Sequence, residues 1–540
     1  MKLRVMLVTE ASFLTTGYAV YCRELIKRLH QHPQLDVLEL ATYCSPDDPR
    51  LQAVPWTVYP NAPRKGDKVE EERYNSHPLN TLGAFKFDEA CATFMPHVVI
   101  DERDWWYMSY QLNCPFRPYF NLLWIPATDS FPQNREWVDN YAQCDAIFNY
   151  SDWGVSVLRE QGINSLGSLP AIVEESYKPV SNKIQHKAQF GLDKVKIVGT
   201  VMRNQKRKLF PDLFEGFRKF LDKTGRTDIL LYCHTSYPDN HPWNIPELLN
   251  DFALASKVLF TYSCSNCGFA FPAFYSDYSV LCRRCMKPAS TTNTQNGVTS
   301  QFMAGIFNLF DIYIQYANSE GEGLCQKEAA ACGVPLMSVD FSAMSDVVRK
   351  LGGIPLKPLS LYRELETGCH RAIPDNNLLA NELEKFFNLP DELQIKMGKT
   401  CLDNFEKHYN GDMIANRLLS YLSTINIIEA EKRWYTPAKI HNIPPLQEAN
   451  NLTPSEQANW LFSKVLGKPE LLGTFSHARL IRELNYGFTT YKLGDTNDNS
   501  QQGHTRGHPL TIQMMYEHFI NAVQYRNHCE QARWNKLGKK

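Results

Sequence analysis

Glu320 and Glu328 stand eight positions apart in Ser319-Glu-Gly-Glu-Gly-Leu-Cys-Gln-Lys-Glu-Ala-Ala-Ala-Cys-Gly-Val-Pro335, with Gly321 and Gly323 between them. The run before them, Phe310-Asp-Ile-Tyr-Ile-Gln-Tyr316, alternates like a strand, and Gln326 to Cys332 is strongly helix-forming. The two glycines therefore fall at a strand-to-helix turn, where backbone amides are left without partners. Such amides favour negative oxygen, and glycine lets a phosphate or a sugar hydroxyl approach the main chain closely. Glu328, further into the helix, is placed to accept hydrogen bonds from a ribose diol. The plain alternative is an ordinary helix with an acidic first turn.

A basic cluster follows a second strand. Lys196-Ile-Val-Gly-Thr-Val-Met-Arg203 reads as a buried strand, then come Asn204-Gln-Lys-Arg-Lys208 and a helix from Phe210 to Leu221. In an open parallel sheet ligands bind beyond the carboxyl ends of the strands, so Arg203 and Lys208 can both reach a pyrophosphate. A solvated basic loop is the competing reading. The elements that would carry these residues alternate along the chain. Leu3 to Thr9 is a short apolar strand running through Glu10 to Gly17 into a helical segment, Tyr18 to Leu29. Val37 to Thr42, His97 to Ile100, Phe120 to Ile125 and Ala146 to Asn149 read as further strands. The expected class is α/β, with a doubly wound first domain.

Ser-Glu-Gly-x-Gly-Leu-x-x-x-Glu-Ala-x-Ala-x-Gly-x-Pro resembles the E-x7-E signature of retaining GT-B glycosyltransferases, the group that includes glycogen synthases and sucrose-phosphate synthases. One position departs: Glu322 stands where that family usually carries an aromatic residue. The turn from Arg203 to Lys208 is similar to the family's Gly-Arg-x-x-x-x-Lys turn, and Gly17 to its glycine turn facing the nucleotide sugar. Ser151-Asp-Trp-Gly and the helix after it also resemble the family, and Leu169 to Pro179 occupies the place where relatives leave the first domain. The resemblance implies two Rossmann-like domains facing a cleft, residues 1–180 on the acceptor side and 181–425 on the nucleotide-sugar side. It implies that Arg203 and Lys208 stabilise a diphosphate leaving group, that Gly321, Gly323 and Leu324 hold sugar or phosphate through their amides, that Glu328 binds ribose and that Glu320 lies close to the sugar ring. The reaction implied is retaining transfer from a nucleoside diphosphate sugar, with UDP as the expected nucleotide and no metal at the reacting centre. The spacing of Glu320 and Glu328 is not that of a glycosidase pair, whose carboxyls must flank the bond. Asp129, after a strand in Trp124-Ile-Pro-Ala-Thr-Asp-Ser-Phe-Pro132, is the acceptor-side candidate, near where relatives often have a histidine. Asp101, Glu102 and Asp104, beside Trp105 and Trp106, either serve the acceptor or line the cleft.

Cys264-Ser-Asn-Cys267 and Cys282-Arg-Arg-Cys285 are separated by fourteen residues. Paired knuckles of this spacing bring four thiolates to one ion and fill the closed tetrahedral shell of structural Zn²⁺. A zinc ribbon over 262–290 would interrupt the second domain. Its Phe269, Phe271, Phe274, Tyr275 and Tyr278, with Arg283, Arg284 and Lys287, suit stacking on bases and meeting phosphates, or else form a small core with a basic edge.

The chain has 540 residues and a net charge of −1, so length allows two domains with additions while charge gives no support for a polyanionic partner. No apolar run is long enough to span a membrane, and the first residues enter a strand directly. A soluble, cytoplasmic protein is expected, in a host cytoplasm if a phage encodes it. Fifteen scattered cysteines fit no disulfide framework. Leu378 to Leu422 reads as helical and resembles the family's closing helices, which implies that Tyr409 to Ile425 crosses back to the first domain. After a Pro-rich linker, residues 437–540 form an accessory helical tail with a polar stretch, Gly494 to Gly507, and a basic end, Arg533 to Lys540, either solvated or a weak polyanion contact. The ribbon, the tail and a likeness of Thr16 to Leu25 and Arg203 to Lys208 to large phage-type glycosyltransferases point to DNA as acceptor, through hydroxymethylated cytosine receiving glucose or arabinose. A surface polysaccharide or lipid-linked glycan is the second acceptor, and a retired scaffold acting as a binding module is the third reading.

Overall fold

The computed structural model describes residues 1–237, 243–276, 280–293, 297–487 and 510–538. Tyr278, the stretch from Gly494 to Gly507 and the last two lysines lie outside them. The first sheet is built from β1 (Leu3–Glu10), β2 (Leu35–Thr42), β3 (Thr57–Pro60), β4 (Val98–Asp101), β5 (Asn121–Trp124), β6 (Ala146–Asn149) and β7 (Ser165–Ser168). Its order is β3-β2-β1-β4-β5-β6-β7, parallel throughout. Helices cover both faces, which is why β1 and β4 read as continuous apolar runs and not as alternating patterns.

The second sheet takes β8 (Lys196–Val201), β9 (Ile229–His234), β10 (Val258–Ser263), β11 (Ala270–Phe274), β12 (Val280–Leu281), β13 (Pro288–Thr291), β14 (Ile312–Gln315), β15 (Leu336–Val339) and β16 (Ile354–Leu356). The run β10-β9-β8-β14-β15-β16 is parallel, while β11 and β13 pair antiparallel with β10. The cysteine insertion thus grows out of the sheet edge and shares its hydrogen bonds. A separate hairpin, β17 (Ser360–Arg363) and β18 (His370–Ile373), was not visible in the sequence, nor were β3, β7, β15 and β16. These strands are short and carry no clear alternation.

Strand order reverses between β1 and β4 in one sheet and between β8 and β14 in the other. Those switch points are where an open α/β sheet leaves a crevice beyond its carboxyl ends. The helix Gly411–Ser423 returns to the first domain, with Ile414, Leu418 and Leu422 in its core and Arg28 Nε 2.9 Å from Asp412. The next helix, Ile427–Trp434, buries Trp434 beside Phe116 and Tyr119 and donates its indole N–H to Pro96 at 2.8 Å.

The tail has a small core of its own, including Trp460, Leu461, Phe462, Leu480 and Phe519. Its last helix, Ile512–Leu537, docks on the first domain. Here the expected solvated basic end is corrected at its first residue alone: Arg533 is 5 % exposed and bonds Glu530, the Tyr119 hydroxyl and the carbonyls of Trp434 and Thr436, while Trp534, Asn535 and Lys536 are exposed. The sequence shows a basic terminus; the fold supplies a buried carboxylate one helical turn away. Removing one partner of a buried pair leaves the other uncompensated. Arg533→Ala should therefore cost about 3 kcal/mol, read as a lower urea midpoint, with Glu530→Gln restoring part of it in the double variant. No helix among the described residues is long and apolar enough to cross a membrane.

Candidate functional site

The turn after β8 is pinned to the turn after β14. Lys208 and Ala317 form an antiparallel bridge, Asn318 N donates to the Arg207 carbonyl at 2.9 Å, and Leu209 N donates to the Tyr316 carbonyl at 3.1 Å. This local register carries the basic cluster onto the glutamate turn. Lys208 Nζ and Arg207 both contact the Glu320 carboxylate, which also accepts from Gln315 Nε2 at 2.9 Å. The Glu320 amide donates to Ser342 Oγ at 2.9 Å. Lys208 and Glu320 are both buried, and burial together with the Arg207 guanidinium pushes the Lys208 ammonium well below its ordinary value. Arg203 is exposed just beyond β8. The guanidinium on Glu320 belongs instead to Arg207, which the sequence reading passed over; its only signal was its place in the same basic run.

Gly321 and Gly323 are needed as glycines for different reasons. A Cβ at Gly321 would stand 2.7 Å from the Ala127 carbonyl oxygen of the first domain, and Gly323 has φ +75° at the N-cap of the helix Leu324–Ala331. That cap has no side-chain partner, so the first amides of the helix stay available. Leu324 packs against the core of the first domain. Glu322 turns the other way, accepting from Ala171 N at 2.9 Å and pairing with the buried Lys327. The residue that departs from the family pattern thus ties the glutamate turn to the crossing between domains.

Glu328 lies inside the helix with Tyr177 and Cys325 as hydrogen-bond partners. Burial pushes its carboxyl up to about 7, against the opposing pull of those two donors. A ribose diol held by Glu328 would donate to the ionised form. Donor affinity should therefore rise as pH increases through about 7, and binding near pH 6 should release a proton. Calorimetric titration of UDP in buffers of different ionisation enthalpy reads that proton directly, and Glu328→Gln should abolish the release.

From the first domain, the Asp129 carbonyl accepts from Arg371 on β18 at 2.9 Å and from the Ser319 hydroxyl, and its carboxylate lies 3.5 Å from the same arginine. His370 N donates to the Phe131 carbonyl at 2.8 Å, so the hairpin clasps the Asp129 loop. Asp104 is half-buried, and desolvation with the nearby Asp129 charge pushes it up to about 6. Asp101 and Glu102 do not line the cleft. Asp101 is locked to the buried Arg103 at 2.6 Å and Glu102 to Thr9 at 2.5 Å, both within the domain core. Gly17 opens the helix Gly17–Gln31 with open space where a Cβ would stand.

The four cysteines converge. Cys264 and Cys285 sulfurs are 3.5 Å apart, Cys267 and Cys282 are 3.6 Å apart, and all four lie within 4.8 Å of one another. A tetrahedron with Zn–S bonds of about 2.3 Å has S···S edges of about 3.8 Å, so the set fits such an ion. The knuckles are equivalent: Gly268 N donates to the Cys264 carbonyl and Met286 N to that of Cys282. Phe271, expected as part of a stacking tip, is 1 % exposed between Tyr262 and Phe269 and fills the core of the insertion. Phe274 is exposed. The chain leaving β13 runs across the carboxyl end of β9, where Thr292 Oγ1 donates to the Thr235 carbonyl at 3.1 Å, and Gly297 reaches Thr15 beside Gly17.

Two Rossmann-like sheets with their switch points turned to a shared cleft define the GT-B class of fold. The chain superposes on sucrose-phosphate synthase from Thermosynechococcus elongatus with a TM-score of 0.55 at 16 % identity, spanning 78 % of this chain and 99 % of that one. It superposes on Anabaena HepE in complex with UDP-glucose with a TM-score of 0.53 at 12 % identity, over 78 % and 100 %. The Escherichia coli structure described as trehalose-6-phosphate bound with UDP-2-fluoro glucose gives 0.50 at 13 %, over 78 % and 99 %. No protein-family model matches the sequence, and no curated protein does.

Proposed function

We propose that the chain is a retaining glycosyltransferase that moves a sugar from a nucleoside diphosphate sugar, UDP-linked, to a hydroxyl acceptor. The observation that carries this reading is the contact of the buried Lys208 and of Arg207 with Glu320 at the switch point of the second sheet, beside uncapped helix amides. A buried ammonium and a part-exposed guanidinium with one carboxylate between them suit a diphosphate whose charge grows as it leaves. In this reading Lys208, with Arg207 and Arg203, receives the leaving phosphate. The amides at Gly321, Gly323 and Leu324 hold sugar and phosphate oxygens, Glu320 meets the sugar ring, Glu328 takes the ribose diol, and Gly17 leaves room for the donor opposite. The acceptor oxygen bonds to the anomeric carbon on the face from which the diphosphate departs, and the acceptor's proton leaves with the phosphate oxygen. Asp129 orients the acceptor.

Cys264, Cys267, Cys282 and Cys285 hold a structural Zn²⁺, and the domains divide as 1–180, 181–425, 262–290 and 437–540. The acceptor proposed is hydroxymethylated cytosine in phage DNA, receiving glucose or arabinose in the host cytoplasm. What supports DNA is the basic second knuckle, Arg283, Arg284 and Lys287, on an insertion whose outgoing chain borders the cleft. The test is release of UDP and GDP from a panel of nucleotide sugars, with and without duplex DNA containing hydroxymethylcytosine. DNA-stimulated UDP release with a sugar mass added to the base supports both parts. Release indifferent to DNA keeps the transferase and redirects the acceptor to glycans, and no binding of any nucleotide sugar leaves only a scaffold.

A further inference from the structure

Beside the cysteine insertion the second domain carries a groove of about 360 Å³ that sugar transfer leaves unused. Tyr232 of β9, Ile306 and Leu309, all buried, form its floor, and Phe190, Phe269 and Phe302, each half-buried, stand in its walls. The three phenylalanines come from three parts of the chain. Phe269 follows the first knuckle, Phe302 lies in the first turn of the helix Ser300–Phe307, and Phe190 lies between the helix Lys183–Ala188 and β8. Phe269 is backed by the buried Phe271, ring on ring at 5.9 Å, and Phe190 meets His186 edge-on at 6.0 Å. Neighbours thus hold these rings in place before anything binds, which lowers the cost of using them.

The edge of the groove is cationic. Arg283 of the second knuckle has a guanidinium nitrogen 3.5 Å from the Phe190 carbonyl oxygen and its carbon 5.6 Å from the Phe271 ring centre. Arg283, Arg284 and Lys287 are exposed, and none of them is ion-paired among the described residues. Among those residues no carboxylate lines the groove, and 262–290 include no Asp or Glu. Another part of the rim reaches toward the cleft. Thr299 lines the groove and caps the helix Ser300–Phe307, and two residues before it a Cβ at Gly297 would stand 3.6 Å from Thr15 Oγ1 of the first domain.

Aromatic walls with a cationic edge and no carboxylate restrict the occupant. A neutral glycan would leave the guanidinium without a counter-charge and would ask for carboxylate acceptors that the groove lacks. An acidic peptide would bring the anions without a flat face at each unit. A polynucleotide brings an anion and a flat face together in every residue. We propose that this groove holds an unpaired stretch of polynucleotide flanking the residue at the cleft, its bases against the phenylalanine walls and its phosphate on Arg283. Arg284 and Lys287 add to the local field. Only bare bases can stack here, so the acceptor strand is open on this side of the cleft. The inference rests on the DNA-acceptor reading above and deepens it, placing the contact that holds the strand outside the reacting centre.

The test is equilibrium binding to the full-length, zinc-loaded protein. The probes are oligothymidylate, an abasic phosphodiester of the same length, maltoheptaose and polyglutamate, with UDP titrated in parallel. Wild type should bind oligothymidylate about tenfold or more tighter than the abasic strand. Phe302→Ala should weaken oligothymidylate about tenfold and the abasic strand little. Arg283→Ala should reduce the slope of log K against log salt by about 0.7, and Arg283→Lys should keep it. Gln301→Glu places a negative charge on the exposed rim in the first helical turn, where an acid favours the helix, and should weaken the strand about fivefold at low salt without unfolding anything. UDP affinity should be unchanged in all four variants. Equal binding of the abasic strand, binding of maltoheptaose or polyglutamate as tight as oligothymidylate, or wild-type strand affinity in the variants overturns the groove. UDP binding without strand binding sinks the groove and leaves the transfer reading standing; strand binding without UDP binding does the reverse.

Discussion

Lys208→Ala is expected to lower kcat for sugar transfer about 10²–10³-fold, the cost of removing one preorganised charge from a site where negative charge develops. The ammonium is buried against Glu320, with Arg207 on the other carboxylate oxygen. Water cannot replace it there, and Arg207 still neutralises Glu320, so the variant should fold. KM for the donor should change less than kcat, because the interaction strengthens as the diphosphate leaves. Lys208→Arg keeps the charge but not the compact ammonium and should recover only part of the rate. Steady-state kinetics on the donor giving the fastest UDP release would decide the matter. A kcat within threefold of wild type, with the fold intact by thermal melt, would show that this lysine does not meet the leaving group.

Cys282→Ser is expected to cost the insertion its metal and its order. Structural zinc contributes about 10–16 kcal/mol in small modules, and the apolar side chains of this insertion, Tyr262, Phe269 and Phe271 among them, join the core of the second domain and form none of their own. Wild type should carry one zinc per chain by mass spectrometry of the metal, and the variant none. The variant should also be cut by protease within 262–290 at concentrations that spare wild type. Because β11 and β13 pair directly with β10, the damage should spread to the sheet edge and lower the melting temperature of the whole second domain. Transfer should fall as well, since the chain leaving the insertion reaches Thr15 at the cleft. A zinc-free wild type with an unchanged melt would remove the metal from this account.

Much of the site's scaffolding was legible in the chain because it is local. Lys196 to Lys208 and Phe310 to Cys332 each declare strand, turn and helix through apolar runs, glycine and helix-forming residues, and the observed elements Lys196–Val201, Phe210–Thr224, Ile312–Gln315 and Leu324–Ala331 follow that order. The two cysteine knuckles are likewise short, and each forms its own turn hydrogen bond. Short strands such as Thr57–Pro60 and Ser165–Ser168 escaped because four residues carry too little periodicity to register.

The sequence by itself determined which turns hold amides, cations, carboxylates and thiols, because those depend on neighbours a few residues away. Only the tertiary structure decided which of them meet. It set Arg207 rather than Arg203 on Glu320, drew Asp101 and Glu102 into the core, clasped Asp129 with Arg371 and buried Arg533 against Tyr119. Those pairings join residues from turns far apart in sequence or turn on which side of a strand end a residue falls, so strand order and the docking of whole domains choose among them.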